Sequence, residues 1–239
     1  MIPLLITTIA GISTLFGIIP TYIKNINKDK LINISLSFSA GSMITLSIFS
    51  LIPEAFSSIK NIIWVLIFMN IGVIISRFID KLISKGTTNS LYKVGITSLI
   101  ALILHNIPEG VITFISSSAD LGLGITLAFG ILLHNIPEGL TIAIPIYHST
   151  NNHKKVFILV LISALSELFG GIVASLFLKD IITPLYLGII YGITAGIMLE
   201  ISLGELLKEA GYYNNKRLTF SGIIFGFLIM ITCIFYFKL

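Results

Sequence analysis

Long apolar blocks separated by short polar connections run along the whole chain. Each block is a continuous run of Ile, Leu, Phe and Gly rather than an alternation of apolar and polar residues, which is typical of helices that cross a membrane. About 20 helical residues cover a hydrocarbon core of roughly 30 Å. We therefore predict an all-α integral membrane protein, a single polytopic domain over residues 1–239 with transmembrane helices at residues 2–23, 31–56, 61–80, 91–116, 121–147, 155–178, 184–208 and 218–237.

The composition strengthens this interpretation. Hydrophobic residues make up 55% of the 239 residues, charged residues make up only 11%, and the mean hydropathy is +1.02. No basic residue precedes the first apolar block and no small-residue cleavage site follows it, so we expect a retained helix there rather than a secretory signal. The single cysteine, Cys233, lies in the last predicted span and excludes a disulfide framework or a paired-thiolate metal site.

The basic residues are divided unequally between the two sides of the membrane. If the spans alternate in direction, the connections after the first, third, fifth and seventh spans carry Lys24, Lys28, Lys30, Arg77, Lys81, Lys85, Lys93, Lys154, Lys155, Lys208, Lys216 and Arg217, whereas the other side carries Lys60, Lys179 and Lys238. Basic loops stay cytoplasmic, so we predict a multi-pass protein of the plasma membrane with both termini extracytoplasmic. These scattered charges form no aromatic-lined groove, which excludes a nucleic-acid partner.

Six glutamates fall within the predicted spans: Glu54, Glu109, Glu138, Glu167, Glu200 and Glu205. An ionised side chain at bilayer depth costs roughly 2.5 to 3.5 kcal/mol, so it normally faces the interior of the bundle and has a partner there. No lysine lies deep in a predicted span to pair with these carboxylates. We therefore expect them to bind cations or protons.

The hexapeptide HNIPEG occurs twice, at residues 105–110 and 134–139. Residues four apart share a helix face, so each copy presents one imidazole and one carboxylate together. Its proline lacks an amide hydrogen and frees a carbonyl in the preceding turn, its asparagine adds an amide oxygen, and its glycine lets a neighbouring helix approach closely. The candidate ligands from the two copies are His105, Asn106, Glu109, His134, Asn135 and Glu138.

The chain also contains an internal symmetry. The fourth and fifth spans run in opposite directions, so the two hexapeptides are antiparallel about an axis in the membrane plane. Residues 40–55 match residues 195–210 at 7 of 16 positions without gaps, and these segments lie in the oppositely directed spans two and seven. We predict an inverted repeat of spans 1–3 and 6–8 around the central antiparallel pair, which is typical of secondary transporters.

Further polar residues are candidates for the site or for an ion path. Glu167, near the middle of the sixth span, is predicted to be another metal ligand. Glu54 near the outer end of the second span, with Glu200 and Glu205 in the inner half of the seventh, could form the entrance and exit of a path. His148 and His153 are expected in a short, solvated cytoplasmic loop, where they could receive the metal on exit.

The predicted nitrogen and oxygen ligands suit zinc, iron(II), manganese or cadmium, and the absence of sulfur ligands argues against copper(I). Three functions remain open on these residues alone. A carrier would expose the site to one side at a time, a cation-selective pore would pass ions down their gradient, and an intramembrane metal-dependent hydrolase would use the metal to activate water. The usual HExxH arrangement of such hydrolases is missing.

Taken together, the doubled HNIPEG, the intramembrane glutamate of the next span, "LIPEAF" in span two and "ISLGELLKEA" in span seven resemble the ZRT/IRT-like (ZIP) metal transporter family, in its bacterial zinc-uptake-like branch. The resemblance implies a transporter rather than an enzyme, which needs no cofactor and moves zinc, with iron, manganese or cadmium accepted by various members, toward the cytosol. It also implies a homodimer. The connection after the third span contains no histidine, so a metal-sensing role is not expected for it.

The resemblance also implies two adjacent metal ions. One would be bound by His105, Glu109, His134 and Glu138, and the neighbouring ion by Asn106, Asn135 and Glu167, with Glu109 and Glu138 bridging the pair.

Overall fold

The computed structural model describes residues 1–23, 27–84, 88–178 and 183–237. Within those residues every regular element is helical, and eight helices are long and apolar enough to cross a membrane. They are α1 (Ile2–Tyr22), α2 (Lys28–Ile59), α3 (Ile62–Ile83), α4 (Ser90–Ala119), α5 (Leu121–Thr150), α6 (His153–Phe177), α7 (Pro184–Gly211) and α8 (Lys216–Tyr236). The predicted all-α fold with eight transmembrane helices is confirmed.

Polar caps set the ends of several helices beyond the limits expected from apolar residues alone. The Asn27 side chain accepts a hydrogen bond from the Lys30 amide, so α2 begins within the polar connection. Asp120 is the one residue between α4 and α5, and its carboxylate accepts a hydrogen bond from the Leu123 amide at 2.8 Å. This short connection makes α4 and α5 antiparallel neighbours, which brings the two hexapeptides together.

Two related spans share a local irregularity. α2 contains a π-helical turn at Ser47–Leu51, and α7 contains one at Ile201–Leu206. The two turns occupy matching positions of the similar segments 40–55 and 195–210. A third π turn, Ala174–Leu178, ends α6. The shared turn supports the predicted inverted repeat, which stays a prediction.

Close glycine contacts divide the helices into two groups. An added Cβ would meet the backbone of a neighbouring helix at Gly110 (against α6), Gly139 (against α1), Gly41 (against α8) and Gly196 (against α3). These contacts and the wider packing join α1, α4, α5 and α6, which we call the site group, and α2, α3, α7 and α8, which we call the flanking group. The expected close approach at the two HNIPEG glycines is therefore present.

The two ends of the bundle differ in their connections. We call the side with the connections after α1, α3, α5 and α7 the inner side, and the opposite side the outer side.

Large apolar side chains cover the surface around the bundle, most fully on α3 and α8. Of the basic residues that orient the chain, Lys24, Lys85, Lys179 and Lys238 lie outside the described residues. The membrane orientation stays a prediction.

Candidate metal site

The two hexapeptides lie near the middle of α4 and α5, and α6 contributes Glu167 beside them. Both helices continue through the prolines of the motif. All seven predicted ligands are buried, none with more than 7% of its surface exposed. Burial of so many polar side chains at bilayer depth is costly unless they bind one another or a cation.

Imidazoles and carboxylates from the two hexapeptides meet across the α4–α5 contact. His105 Nε2 lies 3.1 Å from Glu138 Oε1 and 3.3 Å from Glu109 Oε1, and His134 Nε2 lies 2.8 Å from Glu109 Oε1. Ligand atoms of His105, His134 and Glu138 all lie within 4.8 Å of one another. The structure thus brings four of the predicted ligands together at one point.

These separations are close to those of a metal's ligands. Zinc bonds of about 2.0–2.2 Å place the ligand atoms of a tetrahedral site roughly 3.4 Å apart. The nitrogen–oxygen distances of 2.8 to 3.3 Å between these side chains are slightly shorter than that spacing. Small side-chain adjustments would therefore admit an ion among these atoms.

The two asparagines are anchored to neighbouring helices through their amide nitrogens. Asn106 Nδ2 donates to the Ser163 carbonyl at 3.1 Å, and Asn135 Nδ2 donates to the Ala10 carbonyl at 2.9 Å and to Glu167 Oε2 at 2.8 Å. In the described part of the chain, both Oδ1 atoms and Glu167 Oε1 are buried without a hydrogen-bond partner. Each of these three oxygens is an acceptor without a donor, and oxygen atoms of this kind can bind a cation.

The site gathers more acidic than basic groups. When ionised, the carboxylates of Glu109, Glu138 and Glu167 carry three negative charges, and the two imidazoles can offset only two of them when both are protonated. Residual buried charge costs several kcal/mol in a low-dielectric interior. A divalent cation coordinated by the carboxylates and neutral imidazoles would replace these protons as the source of positive charge.

A cavity of about 250 Å³ leads to this site from the outer side. Its walls include His105, Glu109 and His134 at the bottom and Ser116 and Leu123 beside the α4–α5 connection. Glu54, the predicted entrance residue, is exposed and lines the same cavity. The cavity lies between α4 and α5 of the site group and α2 and α7 of the flanking group.

The inner side of the site is closed by packed apolar residues. Ile142, Ile144 and Ile146 of α5 are fully buried and belong to one core cluster with side chains of α2, α4 and α7. Ser39 Oγ on α2 also donates to the Pro137 carbonyl within the second hexapeptide, at 2.7 Å. In this conformation the cavity therefore reaches the ligands from the outer side, and the packed core separates them from the inner side.

Two predicted path residues, Glu200 and Glu205, have basic partners, so the expectation that the intramembrane carboxylates lack such partners was wrong for these two. Arg77 donates to both oxygens of Glu200, at 2.9 and 3.2 Å, and Lys93 Nζ lies 3.9 Å from Glu205. The long side chains of α3 and α4 reach along the inner half of the bundle to α7, which was not apparent from their positions in the sequence.

The sequence predicts His148 and His153 in a short solvated loop, but both residues lie in helices. His148 is in the last turn of α5, and His153 is the first residue of α6 because Asn152 caps that helix. The His153 ring stacks between Tyr22 at 4.2 Å and Tyr147 at 4.4 Å, measured between ring centroids. Both histidines are partly buried, and His153 joins the inner ends of three helices of the site group.

Several residues that support the site were not predicted from the sequence. Ser39 and the carbonyls of Ala10 and Ser163 hold ligand-bearing backbone or side chains in place, and Tyr191 lines the cavity. Hydroxyl and carbonyl groups are common along every span, so no sequence signal distinguishes these from the others. Only the packing of the helices identifies them.

Comparison with known proteins assigns the chain to a family. A family model described as "ZIP Zinc transporter" matches residues 84–233. Proteins named Zinc transporter ZupT from Campylobacter jejuni and Streptococcus mutans are each 36% identical to the chain, over 96% and 95% of its length and 94% of their own. The ZupT protein of Chlorobaculum parvum is 34% identical over 94% of this chain and 93% of its own length.

The chain belongs to the ZIP zinc transporter family. ZIP family proteins are membrane transporters, so this chain is a transporter of divalent metal ions and not an enzyme, as predicted. The hydrolase alternative is thereby set aside. The buried histidines and carboxylates of α4 and α5 are compatible with such a cargo.

Proposed function

We propose that this ZIP protein carries zinc into the cytoplasm through the site formed by α4, α5 and α6, and that iron(II), manganese and cadmium are alternative cargoes. The relatives named as zinc transporters support zinc as the principal ion. The ligand set of nitrogen and oxygen atoms suits all four metals. The proposed ligands are His105, Asn106, Glu109, His134, Asn135, Glu138 and Glu167.

One observation carries the proposal: a buried cluster of imidazoles and carboxylates lies at the bottom of a cavity that opens to the outer side. By the distribution of lysines the outer side is extracytoplasmic, so the cavity would admit ions from outside the cell. The site is then loaded from the outside and emptied into the cytoplasm.

A carrier explains this arrangement better than a pore. A pore needs a continuous aqueous path, but the inner half below the site is filled by buried isoleucines. Movement of the site group against the flanking group would close the outer cavity and separate the inner contacts. The close glycine contacts lie within each group, so such a movement leaves the tightest helix pairs intact.

Two adjacent ions fit the two sets of atoms. The first ion would lie among His105, Glu109, His134 and Glu138, and the second beside the unpartnered oxygens of the two asparagines and Glu167, with Glu109 and Glu138 shared between the ions.

We further propose a single polytopic domain in the plasma membrane with extracytoplasmic termini. We also propose a homodimer, as the family resemblance implies.

Uptake by purified protein in liposomes tests the proposal. Zinc, iron(II), manganese and cadmium are each offered outside, and uptake is followed with a metal-sensitive dye inside. We expect saturable uptake by the wild type and no uptake by the double variant Glu109→Gln/Glu138→Gln. Asp29→Asn is the control and should leave uptake unchanged, because Asp29 is exposed at the inner end of α2. Uptake that persists in the double variant would contradict the site, and rapid flux without saturation would favour a pore.

A further inference from the structure

Lys93, in the first turn of α4, connects the two helix groups on the inner side. Its Nζ atom lies 2.7 Å from Asp80 Oδ1 of α3 and 3.9 Å from Glu205 Oε1 of α7. One turn earlier, Ser90 Oγ donates to Glu209 Oε1 of α7 at 3.1 Å. The start of α4 is thus held to both α3 and α7, and the same helix carries three of the proposed ligands, His105, Asn106 and Glu109.

Other polar contacts between the groups also lie at the middle or inner part of the bundle. Ser39 of α2 binds the Pro137 carbonyl of α5 at mid-span, and Lys28 Nζ of α2 lies 3.3 Å from the His148 carbonyl at the inner end of α5. On the outer side the same boundary between the groups is occupied by the cavity. Among the described residues, the polar contacts named above join the groups at mid-span and on the inner side, and the cavity lies between the groups toward the outer side.

We propose that Lys93, Asp80 and Glu205 form an ionic latch that holds the transporter with its site open to the outer side. Lys93 acts as a positioning residue, because it fixes the start of α4 against the flanking group and does not contact the metal. The latch rests on the proposed function, since it governs the movement by which the carrier would release its ion inward.

The exposure of the three side chains shows why the contact matters. The side chain of Lys93 is 22% exposed, that of Asp80 28% and that of Glu205 15%. Water and salt therefore screen the attraction between these charges less than in a fully exposed ion pair, yet the groups are not buried in the core. Opening the inner side must separate Lys93 from both carboxylates. The same contact places an ammonium group beside Glu205, a proposed path residue, while the inner side is closed.

The neighbouring ion pair provides a matched control. Arg77 of α3 and Glu200 of α7 also pair on the inner side, with hydrogen bonds of 2.9 and 3.2 Å, but both belong to the flanking group. Loss of this pair removes a similar charge without releasing the site group. Arg77→Met should therefore leave the balance between outward- and inward-open states unchanged, whereas Lys93→Met should shift it inward.

Cysteine accessibility reports that balance. The native cysteine is first removed by Cys233→Ala. Ser116→Cys then reports whether the outer cavity is accessible, because Ser116 lines it. Ser35→Cys reports whether the inner side is accessible, because Ser35 is buried one turn inward of Ser39 on the same face of α2. A membrane-impermeant maleimide is applied to right-side-out and inside-out vesicles. We expect Lys93→Met to raise the ratio of inner to outer labelling rates about fivefold, and Lys93→Arg to restore it.

Asp80→Asn removes the negative charge from the 2.7 Å contact with Lys93. It should therefore also raise the ratio of inner to outer labelling rates, which keeps the test decisive if Lys93→Met is poorly produced. An unchanged ratio in both variants, or an equal shift in Arg77→Met, would overturn the latch. Labelling does not depend on the cargo, so the two proposals can fail separately. Wild-type protein that carries no zinc but shows the expected labelling would overturn the proposed function and uphold the latch.

Discussion

Gly110 sets the distance between α4 and α6 at the site. A Cβ added there would lie 2.7 Å from the Glu167 carbonyl carbon, whereas carbon atoms in contact are normally about 3.5 to 4.0 Å apart. Because the obstacle is backbone, α4 and α6 must separate by roughly 1 Å to accept Gly110→Ala. The hydrogen bond from Asn106 to the Ser163 carbonyl also spans these two helices, at 3.1 Å.

The expected damage follows from these distances. A separation of about 1 Å would stretch the Asn106 bond to roughly 4 Å, beyond hydrogen-bond range, and leave a buried amide unpaired at a cost of about 1 to 3 kcal/mol. It would also displace Glu167 from the ligands of α4 and α5. Displacing groups that orient metal ligands typically lowers metal affinity 10- to 100-fold, and we expect a loss in that range.

Zinc binding to the detergent-purified protein, measured by competition with a chelating dye, tests this prediction. Gly211→Ala is the matched control, because nothing lies within 4 Å of a Cβ added at that position. The control should bind zinc as the wild type does. Wild-type affinity in a folded Gly110→Ala variant would refute the inference that contact between α4 and α6 positions the ligands.

Three further predictions concern neighbouring groups. Asn135→Ala removes a donor to the buried Glu167 carboxylate and should weaken zinc binding about 10- to 100-fold in the same competition assay, and an unchanged affinity would count against the second set of ligand atoms. His153→Ala removes two stacking contacts, each worth about 0.5–1.5 kcal/mol, and should lower the melting temperature while leaving the KM for zinc uptake unaltered. A raised KM with an unaltered melting temperature would instead make His153 a path residue. Zinc binding should release protons, because the ion and protons compete for the same imidazoles and carboxylates, and calorimetry in buffers of different ionisation enthalpy measures the number released. Binding heats that are independent of the buffer would contradict this exchange.

The sequence was informative where a pattern had a single physical meaning. Runs of about 20 apolar residues with few charges have no stable alternative to spanning helices, so the eight spans could be predicted. HNIPEG was equally informative because residues four apart must share a helix face, which placed His105 beside Glu109. Antiparallel α4 and α5 then required only a short connection, which Asp120 provides.

The sequence was less informative where long side chains or tertiary contacts decide. The partners of Glu200 and Glu205 come from α3 and α4, more than 100 residues away, and flexible Arg and Lys side chains cannot be assigned partners without the helix arrangement. His153 appeared to be a loop residue because Asn152 can end one helix or begin the next. Which carbonyls anchor the two asparagines likewise depends on how α1 and α6 pack.

The central claim is that α4 and α5 hold a dehydrated metal ion between their imidazoles and carboxylates. Anomalous diffraction at the zinc edge from crystals of the zinc-loaded protein tests it most directly. We expect one peak among His105, Glu109, His134 and Glu138 and a neighbouring peak beside Glu167. Zinc bound elsewhere in the protein, with no peak among these side chains, would contradict it.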